Sequence, residues 1–190
     1  EAQQAHEVSP GDAKSLVLLG RLMLAYGKDP TRVHEEGLAR ADNEWGLGQI
    51  FVQMAEQKLQ GGVLNPDALE ALRPPFSSPA MDGAVELVRG DILRKSEGPK
   101  EALAAYQRAL ALDPTLVRAR WESGLLLGLP PAERIERLRA LSGPEADYRV
   151  AQVLLEQGMS TQARTLLERV LWDGPEVVDA VELLRAYVMA

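Results

Sequence analysis

The protein has 190 residues and no cysteine. Disulfides, thiolate catalysis and Cys-ligated metal are therefore excluded. The compartment stays open, because a disulfide-free protein can live on either side of a membrane. Histidine is nearly absent too, with only His6 and His34. In His34-Glu35-Glu36 neighbouring side chains face different ways on a helix, and no second histidine sits four residues away. The zinc-helix spacing is missing, so His34 reads as a structural or solvent-exposed residue. No basic cluster is present and the net charge is -7, so no general attraction to nucleic acid or an anionic membrane is expected. No apolar run approaches the roughly eighteen residues that span a bilayer, so no direct membrane insertion is expected. Gly46-Leu47-Gly48 follows Trp45 on a predicted helix rather than a strand, which argues against a dinucleotide loop. Gly27-Lys28-Asp29-Pro30 lacks the first glycine and the Lys-Ser/Thr pair of a phosphate loop. No Ser/His/Asp arrangement is readable and no cofactor is implied. Nothing supports catalysis. The sequence opens on Glu1 rather than Met, which reads as a processed product or excised fragment whose signal peptide could already be gone.

What is present is helix. Hydrophobic residues make 46% and charged residues 26% of the sequence, a globular composition. Frequent Ala and Leu suit helices. One stretch organises the rest. Gly90 is followed by Ala102 after twelve residues, Tyr106 after four more, Ala109 after three and Pro114 after five. Ala151, Ala163, Leu167, Val170 and Pro175 repeat those spacings. Small residues suit close crossing of two antiparallel helices. Tyr106 is the large filler, expected to pack into the next unit. Pro114 ends one helix and can begin the next, with Asp113 as the expected N-cap. Gly98-Pro99 marks the hairpin turn.

These spacings resemble the tetratricopeptide repeat, whose signature runs small residue, Ala, aromatic, Ala, Pro over thirty-four residues. The resemblance is clearest over 82–128 and 144–175. It implies an all-α fold, a right-handed α-solenoid of antiparallel helix pairs, and protein or peptide binding as the class of function.

In order, residues 1–11 read as a polar entry segment. A helix is predicted over 13–26 with Leu16, Leu19, Met23 and Tyr26 as its apolar stripe. A second follows over 31–41, and the two look like a degenerate repeat. A helix over 43–60 carries Trp45, Ile50, Phe51, Met54, Ala55 and Leu59. Asn65-Pro66 caps a short helix to about Leu72. Arg73 to Ala80, with three prolines in eight residues, reads as irregular connector. It divides an irregular helical region, 1–80, from a repeat array, 81–190. The array is predicted as helices near 81–95, 99–112, 115–127, 132–141, 145–157 and 160–172. Gly124 follows Gly90 by 34 residues, but Ala151 follows Gly124 by only 27, so the middle unit is seven short. Pro175 opens a last helix to Met189 that carries Val177, Val178, Val181, Leu184 and Val188.

In a solenoid of this kind the first helix of each pair lines the concave side. The stripes at helical spacing are Leu87, Asp91, Arg94 and Lys95; then Arg118, Trp121 and Leu125; then Tyr148, Gln152 and Leu155. The expected partner-binding residues are Leu87, Asp91, Arg94, Lys95, Arg118, Trp121, Leu125, Tyr148 and Gln152. Trp, Tyr and Arg dominate binding hot spots, although Trp121 and Tyr148 read equally well as core between repeats. Some tetratricopeptide domains grip the C-terminal carboxylates of chaperones through Lys and Asn on successive first helices. The matching places here hold Leu87, Asp91, Trp121 and Leu125, so that pattern is absent. The expectation is an adaptor or scaffold that binds a segment of another protein. The alternative is a regulatory or structural domain of a longer protein, packed intramolecularly.

Overall fold

The computed structural model describes residues 13–40, 44–62, 65, 68–70, 78–174 and 180–190. The entry segment 1–11 with His6, most of the short helix to Leu72, the connector 73–77 and residues 175–179 of the last helix lie outside them. So do the side chains of Trp45, Val181 and Leu184. Among the described residues all regular structure is helix. The elements are α1 (Ala13–Ala25), α2 (Thr31–Arg40), α3 (Glu44–Gln60), α4 (Pro79–Ser96), α5 (Pro99–Leu112), α6 (Val117–Leu126), α7 (Pro131–Arg139), α8 (Pro144–Glu156), α9 (Ser160–Asp173) and α10 (Ala180–Met189). Asn65 Oδ1 accepts the Ala68 N–H at 2.8 Å, a capping contact where the short helix is expected.

The array follows its spacing closely. In the pair α4–α5, Gly90 lies under the ring of Tyr106. A Cβ on Gly90 would come within 2.4 Å of that ring. Tyr106 thus fills the crossing of its own helix pair, a correction to its expected place in the next unit. The equivalent pair α8–α9 has Ala151 and Leu167, both fully buried in one core. There alanine stands in place of the glycine and leucine in place of the tyrosine. The same offset of 61 residues relates an ion pair in each hairpin: Glu86 to Arg108 and Asp147 to Arg169, each at 2.8 Å.

Several boundaries differ from the sequence reading, each for a local reason. The organising helix begins at Pro79, inside the stretch read as irregular, because proline suits the first helical position. Ser78 Oγ caps it by accepting the Met81 N–H at 3.2 Å. Asp113 does not cap α6. Its Oδ1 accepts from the Thr115 N–H at 2.9 Å and the Thr115 hydroxyl at 2.6 Å, and the helix starts at Val117 with Leu116 at its N-cap. Asp29-Pro30-Thr31 makes the same turn before α2. Tyr26, placed on the apolar stripe of α1, lies beyond the helix end and is 78% exposed. His34 is buried, not solvent-exposed, at 1%.

The apolar residues form two large cores and a small one. The first runs from Phe51, Val52 and Ala55 of α3 through Met81, Val85 and Val88 of α4 to Tyr106 and Ala119. The second joins Val117 and Trp121 to Leu138, Tyr148, Leu154, Leu167 and Leu183. Helix α6 faces both, with Ala119 on one side and Val117 and Trp121 on the other. The small core joins Leu16 and Val17 of α1 to Ile50. Along the array the helices pack on their neighbours in sequence, and α10 also touches α8 and α1. The helices therefore curl until α10 meets α1.

Candidate functional site

The curl encloses a cleft of about 500 Å³. Its walls come from α1, α3, α4, α6, α8 and α10, the helix that opens each unit. Apolar lining is provided by Leu24, Val52, Leu59, Ala84, Leu87 and Val117. A helix shows one face to the cleft and the opposite face to the core, which is why charged residues alternate with these at three- and four-residue steps.

The charged lining is organised around Arg118. Its guanidinium reaches Glu56 of α3 and Asp91 Oδ2 of α4, the latter at 2.6 Å. One residue thus ties α6 to two earlier helices. Burial disfavours the charged form of Arg118, but Glu56 and Asp91 outweigh it and hold the guanidinium more firmly protonated than usual. Asp91 is itself 4% exposed. Its Oδ1 accepts the Tyr106 hydroxyl at 2.7 Å. Burial first, then the Asp91 charge, pushes the Tyr106 hydroxyl well above its ordinary pKa, so it stays a donor. Beside this group Arg94 pairs with Glu122 at 2.8 Å. A buried charge is tolerated only when partnered, and Asp91 and Glu122 each have an arginine.

Arg149 of α8 is held differently. Its guanidinium lies over the rings of Trp121 and Tyr148, at 5.4 and 5.3 Å from their centroids. Arg134 lies over Trp121 as well, at 5.4 Å. Arg149 Nη1 donates to Gln152 Oε1 at 2.8 Å. No carboxylate lies within ion-pair distance of Arg149 among the described residues. Glu145, one turn earlier, also lines the cleft. Burial pushes its carboxyl above the usual range, against the pull of Arg149, Arg21 and Arg118.

Of the residues the sequence offers for partner binding, Leu87, Asp91, Arg94, Lys95 and Arg118 line the cleft. Trp121, Leu125, Tyr148 and Gln152 do not. Trp121 and Tyr148 are 8% and 2% exposed and belong to the second core; their other role is to seat Arg149. Leu125 is exposed outside the cleft. Gln152 bridges Arg149 and the Tyr148 hydroxyl. In α8 the lining residues are Glu145 and Arg149 rather than the stripe carried over from α4. A one-residue change of register turns a helix by about 100°. The short middle unit, with α6 at 10 residues and α7 at 9, changes how α8 is set. Arg21, Gln49, Val52 and Glu56 also line the cleft. Their helices, α1 and α3, lack the repeat spacing, and 3.6-residue periodicity is the only signal in the sequence that points to them.

No protein-family model matches the sequence, and no curated protein matches it significantly. Solved structures do. TTC0263, a thermophilic TPR protein of Thermus thermophilus, is similar with a TM-score of 0.52 and 18% identity, over 93% of this chain and 99% of that one. YrrB, described as a TPR protein with an unusual peptide-binding site, is similar with a TM-score of 0.43 and 20% identity, over 97% of this chain and 96% of that one. With the helix pairs, the repeated crossing and the shared concave face, the protein has the tetratricopeptide-repeat fold along nearly its whole length.

Proposed function

We propose that this protein is a non-catalytic interaction module that takes a short segment of another protein into its concave cleft. The observation that carries this reading is the cleft itself, walled by the first helix of every unit and mixing apolar floor with fixed charge. Binding sites combine apolar area with a few placed polar groups in that way, and 500 Å³ falls within the usual range of about 300–1,000 Å³ for ligand-sized pockets. That volume holds a short extended stretch of polypeptide, not a long helix. The carboxylates Asp91, Glu56 and Glu122 are engaged by arginines, which supports a recognition surface rather than acid–base chemistry.

The test is a peptide-display selection against the protein, followed by binding of the selected peptides to a Lys95→Glu variant. That side chain is exposed and makes no ion pair among the described residues, so folding should survive. Affinity should fall about tenfold or more, the scale of a hot-spot loss. Selected peptides whose affinity is unchanged and whose amide shifts map to the convex face would overturn the reading.

A further inference from the structure

The charged residues of the cleft are not all matched. Arg94 and Arg118 each have a carboxylate in contact. Arg149 has none among the described residues, and its Nε is buried without a hydrogen-bond partner. Lys95 lines the cleft, is exposed, and has no ion-pair or hydrogen-bond partner among the described residues. The acid that shares the α8 wall with Arg149 is Glu145, which makes no ion-pair contact among them either. In a protein of net charge -7, this leaves Arg149 and Lys95 without an ion-pair contact among the described residues, beside arginines that are paired.

Arg149 is also pre-positioned. Two aromatic faces and Gln152 hold its guanidinium. A cation over a ring face is stabilised by the ring's quadrupole without losing its outward N–H donors. Its rotamer is restricted before a ligand arrives, so less entropy is lost on binding. The guanidinium presents donors in a fixed planar fork, which matches a carboxylate. Trp121 and Tyr148 then act as positioning residues, buried beneath the group they orient.

We propose that Arg149 is the anchor for a carboxylate on the segment that enters the cleft, with Lys95 as a second cationic contact. This rests on the reading of the cleft as a peptide site. The carboxylate can come from an Asp or Glu side group or from the C-terminus of the bound segment.

The test uses matched sets of six-residue peptides taken from the display selection. One set carries Glu with an amidated C-terminus, one carries Gln with an amidated C-terminus, and one carries Gln with a free C-terminus. Binding is read by calorimetry and by the Nε–H resonance of the Arg149 guanidinium. The acidic amidated set should bind about tenfold more tightly than its Gln counterpart, the effect of one charge-assisted pair, and should move the Arg149 signal. Tight binding by the free-C-terminus set alone, with the same movement, would support the anchor and assign the carboxylate to a peptide end. Arg149→Gln should abolish the preference, and Arg149→Lys should restore only part of it, since the fork is lost. If Arg149→Gln fails to fold, the comparison of peptide sets on the native protein still decides. Peptides that occupy the cleft with equal affinity in all sets and no movement of Arg149 would overturn this proposal while leaving the cleft reading intact. Peptides that bind only the convex face would overturn both.

Discussion

At the scale of single residues, the closest packing is Gly90 under Tyr106. A methyl group at Gly90 would meet ring carbons at 2.4 and 2.6 Å, so the ring would have to move. It is not free to do so, because its hydroxyl is tied to Asp91 and Asp91 to Arg118. Two effects compete in Gly90→Ala. Helix propensity favours alanine by about 1 kcal/mol. Overpacking costs about 1–3 kcal/mol, and disturbing the hydroxyl bond adds about 1 kcal/mol. Packing wins, and urea denaturation should show a loss of roughly 1–3 kcal/mol. The pair α8–α9 suggests the remedy, since it combines Ala151 with Leu167. Gly90→Ala with Tyr106→Leu should recover much of the loss. A double variant no more stable than the single one would show that the crossing is not a simple exchange of volume. The small–large pairing was legible in the spacing. The hydrogen bond beneath it was not, because Asp91 lies on the face that the periodicity assigns to a partner.

At the scale of elements, the first helix pairs hold the clearest contrast with the array. Pair α1–α2 lacks the Ala–aromatic–Ala pattern, and its crossing is filled instead by polar atoms. Gly20 faces Gln53 Oε1 and His34 Nε2. Gln53 Nε2 donates to the Val17 carbonyl at 3.0 Å. His34 sits within this group at 1% exposure, and burial lowers its pKa below the ordinary value near 6.5. The sign follows from linkage. The folded state resists the proton and the unfolded state accepts it, so this contribution is complete above about pH 6.5 and is lost as pH falls below it. Gln53 and, more weakly, the charge of Asp29 oppose the shift. Thermal midpoints should fall between about pH 7.5 and about pH 5, and His34→Leu should flatten that fall. An equal fall in both proteins would assign the effect to carboxylates. Sequence periodicity found these helices and most of their limits. It left His34 open between structural and exposed, because a lone polar residue on a short helix does not reveal what covers it. The 61-residue repeat of the Glu86–Arg108 and Asp147–Arg169 pairs was present in the sequence too. Such exposed pairs contribute about 0–1 kcal/mol each, so they mark the repeat more than they hold it.

At the scale of the molecule, packing crosses the proline-rich connector. Phe51, Val52 and Ala55 lie in one core with Met81, Val85 and Tyr106, and Arg118 reaches back to Glu56. The closure of α10 on α1 adds a further contact between the N-terminal helices and the array. None of this was readable from spacing, because contacts between helices far apart in sequence depend on the accumulated curvature of the repeats, and the short middle unit alters that curvature. The consequence can be tested by inserting a protease recognition sequence between Phe76 and Ser77. After cleavage the two fragments should still co-elute in gel filtration. The first core alone buries several large side groups across the cut, at about 1.5–3 kcal/mol each, and together these exceed the roughly 4–15 kcal/mol by which bringing two fragments together opposes association. Val52→Asp places an unpaired charge at a position that is 6% exposed, on the boundary between that core and the cleft. It should let the fragments separate. Separation of the unmutated fragments at micromolar concentration would show that the N-terminal helices are held to the array mainly by the covalent connector, and that the cleft is completed only in the intact protein.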